Sequence, residues 1–131
     1  MPINDPFAPI GAAAAPHGAE KPSRSIVVPV PDDAPAIPKH KLGRPQGEWR
    51  YLDSAGRLLG YVFRFDTTDG GKQFRPCTLW RDDTTGAEEW RWESWPSPRP
   101  LYGLDRLTAR PQAVVIVTEG EKACDAAGRL L

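Results

Sequence analysis

"RLLGYVFRFDTTDGGKQFRPCTLW" (residues 57–80) is the stretch on which the fold turns. Tyr61, Phe63 and Phe65 alternate with Val62 and Arg64, the two-residue period of a strand with one face toward a core. "TDGGK" (68–72) then supplies residues that tolerate positive φ, so the chain is expected to turn back on itself. The returning "KQFRPCTLW" carries Pro76, a sign of an edge position or a bulge. Upstream, "EWRYL" (48–52) alternates with Trp49 and Tyr51 on one face, and "DSAG" (53–56) is a turn. Downstream, "RDDTTGAE" (81–88) turns again, and "EWRWESW" (89–95) sets Trp90 and Trp92 against Arg91 and Glu93. Four antiparallel strands in a meander follow from this pattern.

The chain has 131 residues, enough for one modest domain. Lys plus Arg equals Asp plus Glu at 17 each, so net charge argues for no class of partner and any basic patch must be local. Cys77 and Cys124 stand alone, without the short-spaced pairs of a structural zinc site, so no zinc is expected. Two lone thiols fit a reducing compartment. No run approaches the ~18 apolar residues of a membrane span. "MPINDPFAPIGAAAAPHG" (1–18) lacks the basic and apolar regions of a signal peptide. A cytoplasmic protein with no membrane partner is the expectation.

Residues 1–47 hold ten of the fifteen prolines, no Trp or Tyr, and Phe7 as their one Phe. Such a segment is expected to be disordered or polyproline-like. Within it "SIVVPVPDD" (25–33) has the makings of a short edge strand, with Pro29 and Pro31 barring a central position. His17 and His40 read as solvated loop residues, because no second ligand is spaced to join them in a metal site.

After the β module (48–95) comes a Pro-punctuated linker (96–112), in which "YGLDRL" suits one helical turn. "AVVIVTEGEKACDAA" (113–127) follows. Its β-branched run 113–117 reads as a strand buried on both faces. Ala123, Ala126, Ala127 and Leu130 then fall at helical spacing. A carboxylate at a strand–helix junction has two readings. Glu119 can hold a divalent cation or move a proton, with Gly120 permitting close approach and Lys122 contacting phosphate at the helix N-terminus. Alternatively, Glu119 and Glu121 simply complement the helix dipole, for ~0.3–1 kcal/mol each, and Lys122 is solvated.

"VVIVTEGEKACDAA" resembles the first motif of a Toprim domain, the metal-binding fold of bacterial-type DNA primases and topoisomerases. The "EGEKAxDA" form is similar to that of primases and primase–helicases of phages and integrated elements. "WRYLDSAGRLLGYVFRFDTTDGGKQFRP" (49–76) and "WRWESWPSPRPLYGLDRL" (90–107) resemble the region that precedes Toprim in those proteins. The resemblance spans residues 45–131. It implies that Glu119 does acid–base work or helps to hold Mg²⁺. It further implies a full-length protein that makes RNA primers from nucleotides on single-stranded DNA, with a possible helicase domain or partner. Two departures qualify it. Where many primases have Asp four residues after the glutamate, this chain has Ala123, with Asp125 two further on. The family's later Asp-x-Asp has no counterpart, since only Glu121 and Asp125 follow Glu119. The chain is therefore expected to be α+β: a hairpin module, then the first strand–helix unit (113–131) of an incomplete Rossmann-like Toprim domain, inactive alone.

Two other functions fit the residues. Arg64, Arg75 and Arg91, interleaved with aromatics, would suit a non-enzymatic β module that binds single-stranded nucleic acid. In a module this small, aromatics more often form the core. A third possibility makes Trp90, Trp92 and Trp95 an exposed protein-contact patch.

Overall fold

The computed structural model describes residues 23–130. The elements are β1 (Arg24–Ile26), β2 (Gly47–Leu52), β3 (Leu58–Asp66), β4 (Lys72–Asp82), β5 (Glu88–Arg91), α1 (Leu104–Ala109) and α2 (Glu121–Leu130). The five strands form one open antiparallel sheet in the order β1-β4-β3-β2, with β5 also pairing β4. The class is α+β, and the four-strand meander has the expected course.

The turns are fixed by local chemistry. The Asp53 carboxylate accepts the N–H groups of Ala55 and Arg57, both at 2.9 Å, and Gly56 takes φ +81°. The Asp69 carboxylate accepts the Gly71 N–H at 3.0 Å, with Gly70 at φ +83°. Asp82 accepts from Thr84 at 2.8 Å and Thr85 at 3.0 Å. Such Asx turns hold each reversal without distant help.

The register places Tyr61 opposite Cys77 and Phe63 opposite Arg75, and Leu79 opposite Trp90. Paired residues share a face, so Phe63, Phe65, Cys77, Leu79 and Trp90 make one buried cluster. Pro76 sits opposite Val62 within the β3–β4 ladder. Pairing with β5 begins only at Thr78 and with β1 at Trp80, so the other edge of β4 is unpaired at the proline.

The expectation of disorder for residues 1–47 needs correction in its second half; residues 1–22, with His17, lie outside the described residues, as does Leu131. β1 overlaps only Ser25 and Ile26 of the "SIVVPVPDD" run (25–33) expected to give a short edge strand, and pairs antiparallel to the end of β4. Beyond it the chain crosses the aromatic face of the sheet as a strap. Val27, Val30, Ala34, Ile37 and Leu42 pack on the core cluster. The Val27 and Val30 amides donate to the Leu79 and Leu58 carbonyls at 2.8 and 2.7 Å. The Trp90 indole N–H donates to the Pro35 carbonyl at 2.6 Å. His40 is no solvated loop residue: its ring lies 4.8 Å from Phe65 and 4.7 Å from Trp92. The strap is thus the second layer of the domain. From Val27 to Ile37 its apolar residues recur at three- and four-residue steps, close to the polyproline repeat. Its prolines lower the entropy lost on ordering.

A second correction concerns 113–117. The expected strand is absent, and the residues run without a ladder. Val114, Val115, Ile116 and Val117 are 92%, 60%, 54% and 89% exposed. Extended β-branched residues become a strand only when a neighbour completes the hydrogen bonding, and no described strand reaches them. The Rossmann-like unit is therefore not formed within residues 23–130. The helical half of the expectation holds in α2, and "YGLDRL" supplies α1.

Candidate functional site

Glu119 is exposed at the corner between the apolar run and α2. Among the described residues its carboxylate has neither a hydrogen-bond nor an ion-pair partner. Gly120 has no positive φ, and a Cβ added there meets nothing within 4 Å. The corner is open to solvent and needs glycine for neither strain nor a protein contact. The Gly120 carbonyl accepts the Cys124 N–H at 2.9 Å, which starts the helix. Lys122 is exposed one residue into α2. The corner forms one end of an open groove of about 500 Å³, bounded by Tyr102, Arg106, Leu107 and the run 113–117.

The other carboxylates of α2 are engaged. The Tyr51 hydroxyl donates to Glu121 Oε1 at 2.6 Å. The Tyr102 hydroxyl donates to Asp125 Oδ1 at 2.8 Å. Arg106 lies 3.7 Å from the same Asp125 oxygen and over the Tyr102 ring at 5.4 Å. The two tyrosine rings are 5.3 Å apart, and Tyr51 packs on Trp95 at 4.7 Å. Burial, reinforced by the Glu121 bond, raises the Tyr51 phenol above its ordinary range. Burial and then the Asp125 bond push Tyr102 up to about 12. Glu121 and Asp125 are four apart, hence on one side of the helix, and through them α2 is held to Tyr51 of β2 and to Tyr102 of the linker.

Sequence reasoning missed this tyrosine–carboxylate latch. The partners are 70 and 23 residues apart in sequence, and only the i,i+4 spacing of the acids hinted at a tethered face.

The three arginines do not form one basic surface. Arg64 pairs with Asp66 at 2.8 Å. Arg91 pairs with Glu89 at 2.7 Å and Glu93 at 3.0 Å. Arg75 lies opposite Phe63, on the strap side of the sheet, and donates to the Phe74 carbonyl at 2.9 Å. Nor do the tryptophans make an exposed patch. Trp90 and Trp95 are each 8% exposed, and Trp92 packs edge-on against Phe63 and Phe65. The Trp95 indole N–H donates to the Leu59 carbonyl at 3.0 Å.

Among the described residues no three His, Cys, Asp or Glu side chains converge as a metal site. The α2 corner offers Glu119 as its free carboxylate, so residues 23–130 do not by themselves complete a Mg²⁺ site. Cys77 is fully buried, and burial pushes its thiol up to about 12. No helix among the described residues is long and apolar enough to cross a membrane. Comparison with family models, curated proteins and solved structures finds no match for this chain.

Proposed function

We propose that the chain is the front part of a Toprim-type DNA primase or primase–helicase. In this reading Glu119 serves the acid–base step of primer synthesis on single-stranded DNA. The observation that carries it is the arrangement at 113–121. An apolar run, open on both faces, leads to a free glutamate and then to the N-terminus of a ten-residue helix. A run of that composition suits the interior of a sheet. In open α/β sheets, chemistry gathers where such a strand meets its helix.

The reading asks for inner-strand partners and for the remaining Mg²⁺ ligands from chain beyond residues 23–130. It assigns to these residues only the placing of Glu119 and of the α2 N-terminus, with Lys122 beside it. The helix dipole there favours a phosphate group. Glu121 is no reserve metal ligand here, because it holds the helix to Tyr51.

The nucleic-acid-binding module is the weaker reading. Arg24, Arg64, Arg81 and Arg91 are already paired with carboxylates, which offsets their positive field toward a phosphate backbone.

Primer synthesis from ribonucleotides on single-stranded DNA, by the gene's full product, tests the proposal. Glu119→Gln is expected to lower kcat by about a hundredfold or more, the range of lost acid–base catalysis. Undiminished synthesis would remove Glu119 from the mechanism.

A further inference from the structure

The strap and the β2–β3 hairpin leave an open cleft of about 780 Å³ between them, within the size range of small-molecule sites. Its floor is aromatic. The Tyr61 ring lies 5.4 Å from Phe63 and 5.8 Å from Trp90, and the Trp90 N–H is already bonded to the Pro35 carbonyl. Its walls are apolar: Val30, Ala34, Ile37 and Leu58 line it, and Pro31 and Pro35 have no N–H to offer. One end is polar. Arg50 stands directly opposite Tyr61 in the β2–β3 ladder, so both side chains leave the sheet on the strap side. Arg57, at the rim, is held by Asp53 at 2.7 Å. Among the described residues the Arg50 guanidinium and the Tyr61 hydroxyl have neither a hydrogen-bond nor an ion-pair partner. Burial raises the Tyr61 phenol above its ordinary range, against the opposing charge of Arg50, so at neutral pH it is a hydroxyl donor.

We propose that this cleft binds a small molecule carrying one carboxylate on a flat apolar body. Arg50 and Tyr61 hold the carboxylate, and the body lies between Trp90 and the strap. A guanidinium fork matches the two oxygens of a carboxylate, and the Tyr61 hydroxyl adds a further donor. Aromatic and proline side chains favour a planar partner. One unpaired arginine suits one negative charge. Asp32, which lines the cleft, and Glu48, two residues before Arg50 on the same side of β2, are both exposed and would repel a phosphate dianion more strongly.

The cleft lies on the strap side of the sheet, whereas Tyr51, which holds α2, leaves β2 on the other side. The inference is therefore independent of the primase reading.

Amide chemical shifts of the 131-residue chain, titrated with naphthoate and with neutral naphthamide, test it. Naphthoate is expected to move the Arg50, Leu58 and Ile37 amides with a dissociation constant of about 1 mM, the affinity that ordinary ligand efficiency gives a probe of its size. Naphthamide is expected to bind about tenfold more weakly, and Arg50→Met to weaken naphthoate by a similar factor. Tyr61→Phe keeps the ring and is expected to weaken naphthoate roughly threefold. No movement of the cleft amides at about 10 mM naphthoate overturns the inference. So does equal binding of the two probes. So does an Arg50→Met or Tyr61→Phe chain, its remaining amide shifts intact, that binds naphthoate as wild type does.

Discussion

Replacing Tyr51 by Phe removes one hydroxyl and leaves the ring against Trp95 and Tyr102. The hydroxyl donates to the Glu121 carboxylate at 2.6 Å in a half-buried setting. A hydrogen bond to a charged group is worth roughly 1.5–3 kcal/mol, and less where water competes. Discounting for partial exposure leaves about 1–2 kcal/mol. At 1.4 kcal/mol per tenfold, that is roughly a five- to thirtyfold shift in the docking equilibrium of α2. α2 has no buried residue of its own, and an isolated ten-residue helix is marginal in water. Undocking should therefore melt it. Hydrogen exchange of the Cys124–Arg129 amides is expected to accelerate by that factor, while the core amides of β3 and β4 keep their wild-type rates. Unchanged exchange in α2 would refute the latch. Uniform acceleration across the sheet would show that Tyr51 acts through the core instead.

Other outcomes follow from the same contacts. Raising the pH should undock α2. Both phenols are held above their unfolded value near 10, so the docking they give is complete below that pH and falls as pH rises past it, toward about 12 for Tyr102; exchange of α2 amides against pH, corrected for intrinsic rates, reads this. His40 titrates with the other sign. Burial, then Arg75 and Lys41, depress its basicity, so stability is full above the unfolded value near 6.5 and declines as pH falls below it; urea midpoints at pH 7 and 5 should differ in wild type and less so in His40→Gln. Gly60→Ala should destabilise the sheet by about 1–3 kcal/mol, because the new Cβ would lie 2.8 Å from the Trp95 ring and 2.9 Å from the Cys77 carbonyl, at φ +149°; a urea midpoint equal to wild type would contradict that. Trp90→Phe loses the Pro35 bond and part of its packing, for about 1–2 kcal/mol, and proteolysis within 27–42 should become faster.

The sheet was legible because its signals are local. The alternation of Tyr61, Phe63 and Phe65, and the Asp–Gly chemistry at 53–56 and 69–70, act within a few residues of where they are read. The strap was not legible. Val27, Val30 and Ile37 gain their burial from the core cluster of the sheet, which composition within 1–47 cannot reveal. The run 113–117 shows the converse error: β-branched residues favour an extended backbone, but a ladder needs a neighbour, and none comes from residues 23–130. At the candidate site the glutamate–glycine–helix corner could be read directly, although which of Glu119 and Glu121 is free could not. Tyr51 makes that choice by bonding Glu121 from a distant position in the chain.

In the proposed primase reading Glu119 is the reactive carboxylate, while Glu121, bonded to Tyr51, is a tether. The most direct test compares primer synthesis by the gene's full product carrying Glu119→Gln with that carrying Glu121→Gln. The account predicts a fall in kcat of about a hundredfold or more for Glu119→Gln. For Glu121→Gln it predicts a much smaller fall together with faster α2 exchange. Equal losses, or a greater loss at Glu121, would contradict it.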